Sequence, residues 1–333
     1  MYLKDVFRNN KQFGSKDRKF YRNACYTWWR WSEVPQQEPT PEKLAQYLEA
    51  AATGSEALNS QESVLQRYAA HLEPEIVLSQ LHQWFHTQAP VFAIPFKHKR
   101  AAWENYVKQL NATYSITDTV YCFDPNINLT DAVDRGLCRI QDIASFSAVN
   151  ALELPKNARV WDCCSGAGGK ALTIAENNPS IALTASDVRP QILENLRERF
   201  SLAGLAAPRT LQIDLEKYNH SDDLGMFDFI VADVPCTGSG TWRRTPEAAH
   251  YFQVEEIERQ AKRQESIVGN ALKHLKQDGT LLYITCSIFQ QENMQQIRKL
   301  EEKYNLRVVQ AGFTTDATQS NSDYIFRAIL KRN

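Results

Sequence analysis

The sequence lacks several features that would place the chain in a simple class. Its 333 residues contain no apolar run near the ~18–20 residues that a membrane span needs. No apolar stretch follows the first charged residues, so we expect no secretory signal. The 38 basic and 39 acidic residues nearly cancel, which disfavours a protein that simply coats nucleic acid. The 43% of hydrophobic residues exclude disordered, collagen-like and coiled-coil chains, and the length allows two domains.

The cysteines lack the number and spacing that are typical of disulfide frameworks and zinc sites. The seven cysteines are an odd number, and no two have the CxxC spacing of a zinc ligand pair. We therefore expect no disulfide framework, no metal site and a reducing, cytoplasmic compartment. A lone thiol is usually a small buried hydrophobic group, and we interpret Cys25, Cys122, Cys138 and Cys163 in that way.

Basic residues cluster although the net charge is small. Residues 1–30 hold eight basic and two acidic side chains, interleaved with aromatic residues. This pattern is typical of a surface that binds single-stranded RNA, but a helix whose aromatic residues lie in a core fits it equally. A second cluster contains Lys97, Lys99 and Arg100, which are further candidates for RNA contacts.

The pattern of apolar residues changes near residue 150. Before it, Thr40-Pro41 and the run from Glu73 to Phe85 predict helices, and Val91–Ile94 predicts a strand. We predict three parts: a helical region over 1–87, a small α+β module over 88–145 and a catalytic domain over 146–333.

Strands and helices alternate through this last part. The alternation predicts an α/β fold with a doubly wound parallel sheet of about seven strands, the last one antiparallel, covered by helices. The predicted strands are 158–163, 181–186, 210–213, 227–232, 280–285, 306–310 and 324–330.

A glycine-rich turn follows the first of these strands and opens the first helix. Gly166, Gly168 and Ala171 fit the loose GxGxx[GA] pattern, whereas the P-loop pattern fails. Asp187 ends the second strand, where a carboxylate can bind the hydroxyls of a ribose. The turn therefore indicates an adenosine-containing cofactor, either NAD or S-adenosylmethionine, and a turn needed only for packing stays open. Asp214, after the third strand, is a weaker candidate for an adenine contact.

Two cysteines follow the next two strands. Asp233 and Cys236 come at the end of the fourth strand, and Cys286 comes at the end of the fifth. Ligands bind beyond the carboxyl ends of parallel strands, so we expect these side chains to lie on one rim with Asp162 and Asp187. Hydride transfer has little use for two thiols, whereas activating an unreactive ring needs a soft nucleophile.

These motifs resemble those of the Sun/RsmB/Nop family of RNA cytosine C5-methyltransferases, which use S-adenosylmethionine. Asp233-Val234-Pro235-Cys236, followed by Arg243-Arg244-Thr245-Pro246-Glu247, resembles its second catalytic motif, and Thr285-Cys286-Ser287 with Glu292-Asn293 resembles its nucleophile motif. The resemblance covers 136–330, and the first 135 residues match only faintly. One departure is Gly166-Ala167-Gly168-Gly169-Lys170, where the family usually has Ala-Pro-Gly-Gly-Lys.

The resemblance implies a class I methyltransferase-like fold and a role for each motif residue. Cys286 would be the nucleophile, Cys236 would help release the product, and Asp233 would bind the cytosine edge. Arg243 and Arg244 would contact RNA or form a solvated surface pair. The implied cofactor residues are Cys164, Ser165, Gly166, Ala167, Gly168, Gly169, Lys170, Asp187, Asp214 and Asp233.

The implied partner is RNA, with ribosomal RNA favoured over transfer RNA and a monomer favoured over an oligomer. Three other functions stay open at this point. They are an NAD-dependent oxidoreductase, an enzyme that methylates amino groups of adenine or cytosine, and a catalytically silent RNA-binding module. The two strand-end thiols are unexplained by the first and argue against the last.

Overall fold

The computed structural model describes residues 14–31, 64–218 and 224–332, which fall into two compact units. The first unit contains the described residues 14–31, 64–70, 77–88 and 242–253, and the second contains the others. The helices are α1 Ser15–Trp31, α2 Leu78–His86, α3 Arg100–Gln109, α4 Thr130–Asp134, α5 Ile143–Asn150, α6 Gly169–Asn177, α7 Pro190–Leu202, α8 Pro246–Tyr251, α9 Glu255–Leu272 and α10 Met294–Tyr304. The strands are β1 Val91–Pro95, β2 Tyr114–Thr117, β3 Val120–Phe123, β4 Cys138–Ile140, β5 Arg159–Asp162, β6 Ala182–Asp187, β7 Arg209–Gln212, β8 Phe227–Asp233, β9 Leu275–Thr285, β10 Leu306–Phe313 and β11 Phe326–Arg332. Short 3-10 helices lie at Val64–His71, Lys97–Lys99 and Ser239–Arg244.

The first unit is helical and is built from α1, α2, α8 and most of the 3-10 helix that begins at Val64. The hydroxyl of the buried Tyr68 donates to the carbonyl of Ala249 at 2.7 Å, and its ring packs 5.2 Å from that of Trp242. In α1, Trp28 is buried and Tyr21 is exposed, so these two aromatic side chains divide between core and surface. The helix predicted from Thr40 lies outside the described residues.

The helix predicted from Glu73 begins later than expected, at Leu78. The residues before it are held by the chain near 288–289 instead. Leu72 pairs with Phe289 in an antiparallel bridge, and the Glu73 amide donates to the Ile288 carbonyl at 2.9 Å. These contacts tie Leu72 and Glu73 to a distant segment, and the regular helix begins only at Leu78.

A four-stranded antiparallel sheet with the order β2-β3-β1-β4 begins the second unit. With α3 and α4 in its crossovers, it has the split βαβ arrangement of ferredoxin-like modules. One of its faces packs on α3, where the Trp103 ring meets that of Tyr121 edge-on at 5.3 Å. Residues of the opposite face, such as Phe92, join one buried cluster with Phe146 of α5. The short strands β2 and β4 were not predicted, because four and three residues carry too little pattern.

The second sheet has seven strands in the order β10-β11-β9-β8-β5-β6-β7. Strands β9, β8, β5, β6 and β7 are parallel, and β11 runs antiparallel to both β9 and β10. This confirms the predicted fold, including the antiparallel last strand. Strands β5, β8 and β9 are neighbours, so their carboxyl ends meet at the middle of one edge. Trp161 of β5 and Tyr283 of β9 lie fully buried in the core beneath that edge.

The lengths of the predicted strands are correct to within a few residues, except for β9. This strand begins at Leu275, five residues before the predicted start, and passes through Asp278 at a left-handed φ of 61°. The polar Lys-Gln-Asp-Gly segment lacks the apolar alternation that predicts a strand, so the sequence does not reveal this part of β9. Among the described residues, no helix combines the length and hydropathy that a membrane span requires.

Candidate active site

The glycine turn joins β5 to α6, and its two central glycines have different structural reasons. Both adopt left-handed backbone angles, with φ of 51° at Gly166 and 77° at Gly168. A Cβ added to Gly168 would lie 2.7 Å from Leu196, so this glycine is required by packing. A Cβ added to Gly166 would meet no atom within 4 Å, because that residue faces open space. Gly166 therefore leaves room for a ligand to approach the backbone closely.

Asp187 lies at the end of β6, beside this turn. Its carboxylate accepts the Gly166 amide at 3.1 Å and the amide of Arg189 at 2.9 Å, and it pairs with the Arg189 guanidinium. Burial opposes ionisation, but the hydrogen bonds and charge of Arg189 and the Gly166 amide lower the pKa of Asp187. The group is thus an anionic acceptor at the cavity wall. Asp214 lies after β7, is partly exposed, and accepts the amide of Glu216 at 3.0 Å.

A cavity of about 470 Å³ opens beyond the carboxyl ends of these strands. Seven of the residues singled out from the sequence line it: Cys164, Gly166, Asp187, Asp214, Asp233, Cys236 and Cys286. The structure thereby brings together residues from the ends of five strands, β5 to β9. Val188, Ile213, Arg263 and Ile267 also line the cavity, and the sequence did not single them out. Residues Arg263 and Ile267 lie on α9, whose position against the sheet is a tertiary feature.

Other residues of the predicted cofactor segment connect the turn to neighbouring elements. The Ser165 hydroxyl donates to the Ser186 carbonyl at 3.2 Å, and the Ala167 carbonyl accepts the guanidinium of Arg199 at 2.8 Å. Gly169 begins α6. These contacts tie the turn to the neighbouring strand and helix, so the backbone of Gly166 is held in place.

Lys170, the first residue of α6 after Gly169, reaches back to the strand end. Its Nζ lies 2.6 Å from Oδ2 of Asp233, with the lysine side chain 12% exposed and the aspartate 33%. Burial acts against the charged ammonium, but Asp233, together with Cys286 and Asp162, raises the pKa of Lys170 above its ordinary value. Lys170 therefore stays charged, and its contact holds the Asp233 side chain at the rim.

Asp162, at the end of β5, is a buried carboxyl close to this pair. It is 1% exposed, and its Oδ1 has no hydrogen-bond partner within the described residues. Burial and the negative charge of Asp233 raise the pKa of Asp162 to about 7, against the opposing effect of Lys170. A buried acid that titrates near neutral pH is typical of functional sites. The sequence placed Asp162 on the rim, but its burial depends on the packing of neighbouring strands.

The two strand-end thiols are in contact. The Sγ atoms of Cys236 and Cys286 are 3.0 Å apart, and the Cys286 amide lies 3.3 Å from the Cys236 sulfur. The hydrogen bond with Cys286 and burial raise the pKa of Cys236 above its ordinary value. The Cys236 thiol therefore keeps its proton, and either sulfur can be the donor in the contact between the two. Two thiols in contact are chemically suited to a reaction that needs a sulfur nucleophile and a nearby group that transfers a proton.

The loops that carry these thiols meet at Glu292, a residue that the sequence placed in a motif without assigning it a role. Glu292 is fully buried and accepts hydrogen bonds from Thr237, Ser287 and Gln264. A glutamate within a polar Gln-Gln-Glu-Asn run carries no sequence signal of burial. Only the tertiary structure shows that this carboxylate lies between the two loops.

The predicted RNA contacts lie in both units. Lys97, Lys99 and Arg100 lie in the 3-10 helix and the first turn of α3; Lys97 and Arg100 are exposed, and Arg100 pairs with Glu104. In the first unit, Arg244 is half-buried. Arg243, by contrast, is fully buried, with its guanidinium 5.3 Å from the Trp84 ring centre.

Arg243 is thus neither a solvated surface residue nor accessible to RNA, because its side chain is fully buried. The RNA contacts of the other four residues stay predictions.

Comparison with known proteins gives a consistent result. Residues 149–330 match the family model described as 16S rRNA methyltransferase RsmB/F. Ribosomal RNA small subunit methyltransferase B of Shewanella oneidensis is 33% identical over 206 residues, which are 59% of this chain and 48% of that protein. The protein of the same name from Photorhabdus laumondii is 29% identical over 180 residues, which are 54% of this chain and 42% of that one. The chain spans about half the length of the curated relatives that it matches.

Solved structures are similar in fold. A crystal structure of NSun6 from Pyrococcus horikoshii with SFG superposes with a TM-score of 0.69 at 15% identity, covering 81% of this chain and 98% of that one. A methyltransferase homologue from the same organism gives a TM-score of 0.64 at 18% identity, covering 88% and 100%. At such identities the similarity establishes the architecture, and the chemistry has to be argued from the site.

Proposed function

The chain belongs to the 16S rRNA methyltransferase RsmB/F family, whose model covers more than half of it, and from this premise we propose that it methylates C5 of cytosine in RNA. The proposed methyl donor is S-adenosylmethionine. Small-subunit ribosomal RNA is the favoured substrate and transfer RNA the second. The observation that carries the proposal is the pair of thiols 3.0 Å apart in the wall of the cavity that the glycine turn lines.

The cavity suits the proposed donor. The open space above Gly166 admits a ligand to the backbone, and the anionic Asp187 can accept the two ribose hydroxyls. Val188 and Ile213 offer apolar surface for an adenine, with Asp214 beside them. When bound, S-adenosylmethionine supplies an electrophilic methyl group. The NAD alternative leaves both thiols without a task.

Cys286 would act as the nucleophile, because C5 of cytosine is too poor a nucleophile by itself. Its thiolate would form a bond to C6, and the electrons of the C5–C6 double bond would move to C5. That carbon could then accept the methyl group that the bound donor would supply, with the thioether of the donor as the leaving group. The carboxyl group of Asp233, held by Lys170, would hydrogen-bond the cytosine edge and favour protonation at N3. Since the reacting ring atoms must reach a rim pocket, the target base has to be unstacked or single-stranded.

Cys236 would complete the reaction by removing the proton from C5. In the resting site the neighbouring Cys286 sulfur is the largest cause of the raised pKa of Cys236. Once the Cys286 sulfur is bonded to C6, it would be a neutral thioether and a weaker acceptor, and Cys236 could release its proton to solvent. The resulting thiolate takes the C5 proton, the C5–C6 double bond forms again, and Cys286 leaves as a thiolate.

Replacing Cys286 tests the nucleophile. Cys286→Ala should abolish methyl transfer to RNA, because it removes the sulfur that adds to C6 in the proposed reaction. Binding of S-adenosylmethionine, measured by calorimetry, should stay near the wild-type value, since the turn and Asp187 are unchanged. Full methylation by this variant would refute the assignment.

Replacing Cys236 tests product release. Cys236→Ala should still add to C6 and transfer the methyl group, but the covalent protein–RNA adduct should accumulate and survive a denaturing gel. A good substrate that yields no adduct would exclude this role. Bisulfite mapping of cellular RNA with and without the protein would identify the methylated cytosine.

A further inference from the structure

Glu292 lies between β9 and α10 and binds both thiol-bearing loops with one carboxylate. Its Oε1 accepts the amide of Thr237 at 2.9 Å and Nε2 of Gln264 at 2.8 Å. Its Oε2 accepts the hydroxyl of Thr237 at 2.6 Å and that of Ser287. Thr237 directly follows Cys236, and Ser287 directly follows Cys286. A single side chain therefore joins the residues next to the two thiols.

Further hydrogen bonds make this connection stiff. Gln264 also donates to the Pro235 carbonyl at 3.0 Å, so the chain is held on both sides of Cys236. The Ser239 hydroxyl accepts the Ile288 amide at 3.1 Å and lies 3.3 Å from the Ser287 hydroxyl, which gives a second link between the loops. The phenol of Tyr283 is buried beneath, 2.9 Å from Gln264 Oε1.

The Glu292 carboxyl group is surrounded by four hydrogen-bond donors. Burial raises the pKa of Glu292, while the hydrogen bonds from Ser287, Thr237 and Gln264 act in the opposite direction. Both oxygens accept two hydrogen bonds, which fills the acceptor capacity of a carboxylate. The side chain is absent from the cavity wall, so it acts on the site through Thr237 and Ser287.

We propose that Glu292 is the positioning residue that sets the separation of the Cys236 and Cys286 thiols. Its catalytic consequence rests on the proposed function, in which one sulfur adds to C6 and the other accepts a proton from C5. These are adjacent ring atoms, so the two sulfurs must stay close together throughout the reaction. The Cys236 loop has Gly238 at a φ of 72° and needs an anchor to hold its register against Cys286.

The thiol separation can be measured without RNA or cofactor. Diamide, a diazene, takes one hydrogen from each thiol, is itself reduced to a hydrazine, and leaves a Cys236–Cys286 disulfide. Mass spectrometry of the linked peptides measures how fast this disulfide forms, and that rate reports how often the two sulfurs approach each other. We expect Glu292→Gln to slow it about tenfold, because the amide nitrogen cannot accept the hydrogen bonds that one carboxylate oxygen accepts.

Glu176→Gln is the matched control. Glu176 is also a buried carboxylate, paired with Arg139 at 3.1 Å, but it lies near the opposite end of α6 from Lys170. In the Glu176→Gln variant, the Cys236–Cys286 disulfide should form at the wild-type rate. If Glu292→Gln fails to fold, Thr237→Val and Ser287→Ala each remove one donor to the same oxygen and should slow the reaction less. A disulfide rate in the Glu292 or donor variants that equals the wild-type rate overturns the proposal.

Steady-state kinetics separate positioning from general stability. Glu292→Gln should lower kcat for RNA methylation and leave KM for S-adenosylmethionine unchanged, because the cofactor turn and Asp187 are not part of this network. A raised KM with kcat unchanged would contradict the positioning role. If the wild-type chain methylates no RNA, the proposed function fails, while the oxidation rates still decide what Glu292 does.

Discussion

Gly240 permits the closest backbone approach in the active-site loop, and replacing it should be costly. A Cβ on Gly240 would lie 2.1 Å from the Tyr324 carbonyl oxygen and 3.1 Å from the Cys286 carbonyl carbon and oxygen. These neighbours are backbone atoms, so no side chain can turn away. Gly240 also donates to the Cys286 carbonyl at 2.9 Å and accepts the Tyr324 amide at 3.0 Å. An alanine must therefore push the loop away from both strand ends.

The cost can be worked out from these contacts. Two hydrogen bonds of ~1 kcal/mol each would be strained or lost, and overpacking of a dense site adds ~1–3 kcal/mol. We expect Gly240→Ala to reduce the free energy of unfolding by about 3–5 kcal/mol. Because Cys236 lies in the displaced loop, its contact with Cys286 would change, and methyl transfer should fall as well.

Gly238→Ala is the matched comparison, two residues earlier in the same loop. Gly238 has a φ of 72°, but a Cβ there would meet only the Thr241 hydroxyl at 3.9 Å. Its cost is the left-handed backbone alone, ~1–2 kcal/mol. Urea unfolding of both variants, followed by circular dichroism, measures the difference. A Gly240→Ala variant that is no less stable than Gly238→Ala would refute the packing argument.

Two further perturbations test the buried charges around the cavity. Burial raises the pKa of Asp162 to about 7, whereas the carboxyl group of the unfolded chain releases its proton near pH 4. The folded protein therefore binds one more proton between about pH 4 and pH 7. The free energy of unfolding should fall by up to about 4 kcal/mol as pH rises through this range. Asp162→Asn should flatten that dependence in urea unfolding at about pH 5 and pH 8, and an unchanged slope would contradict it. Lys170→Met removes the ion-pair partner of the Asp233 side chain and should lower the free energy of unfolding by ~1–3 kcal/mol. This range is modest because Asp233 is 33% exposed and solvent screens its charge. The same variant should also lose methylation. Wild-type methylation by this variant would show that the pair does not position Asp233.

The residues that could be found from the sequence are those whose chemistry follows from their place along the chain. Gly166, Asp187, Asp233, Cys236 and Cys286 each follow a strand, and the strands alternate with helices strongly enough to predict a parallel sheet. Because parallel strands end at one edge, their common location at a single cavity followed from the pattern. The structure confirms that gathering, while their individual roles stay proposals.

Other parts of the site carry no signal along the chain. Arg243 lies in a charged motif and was expected near solvent or RNA, yet packing around Trp84 encloses it. Strand β2 is fully exposed and only four residues long, so neither length nor alternation reveals it. The predicted three-part division of the chain also stays a prediction.

The sequence by itself determined the fold class, the glycine turn and the two strand-end thiols, since each depends on residue type and local spacing. The tertiary structure alone decided the 3.0 Å contact of the thiols, the burial of Asp162 and the joining of both loops by Glu292. Cys236 and Cys286 are separated by 50 residues, and their contact depends on the pairing of β8 with β9. Burial and hydrogen-bond partners are properties of that packing, and they raise the pKa of Cys236.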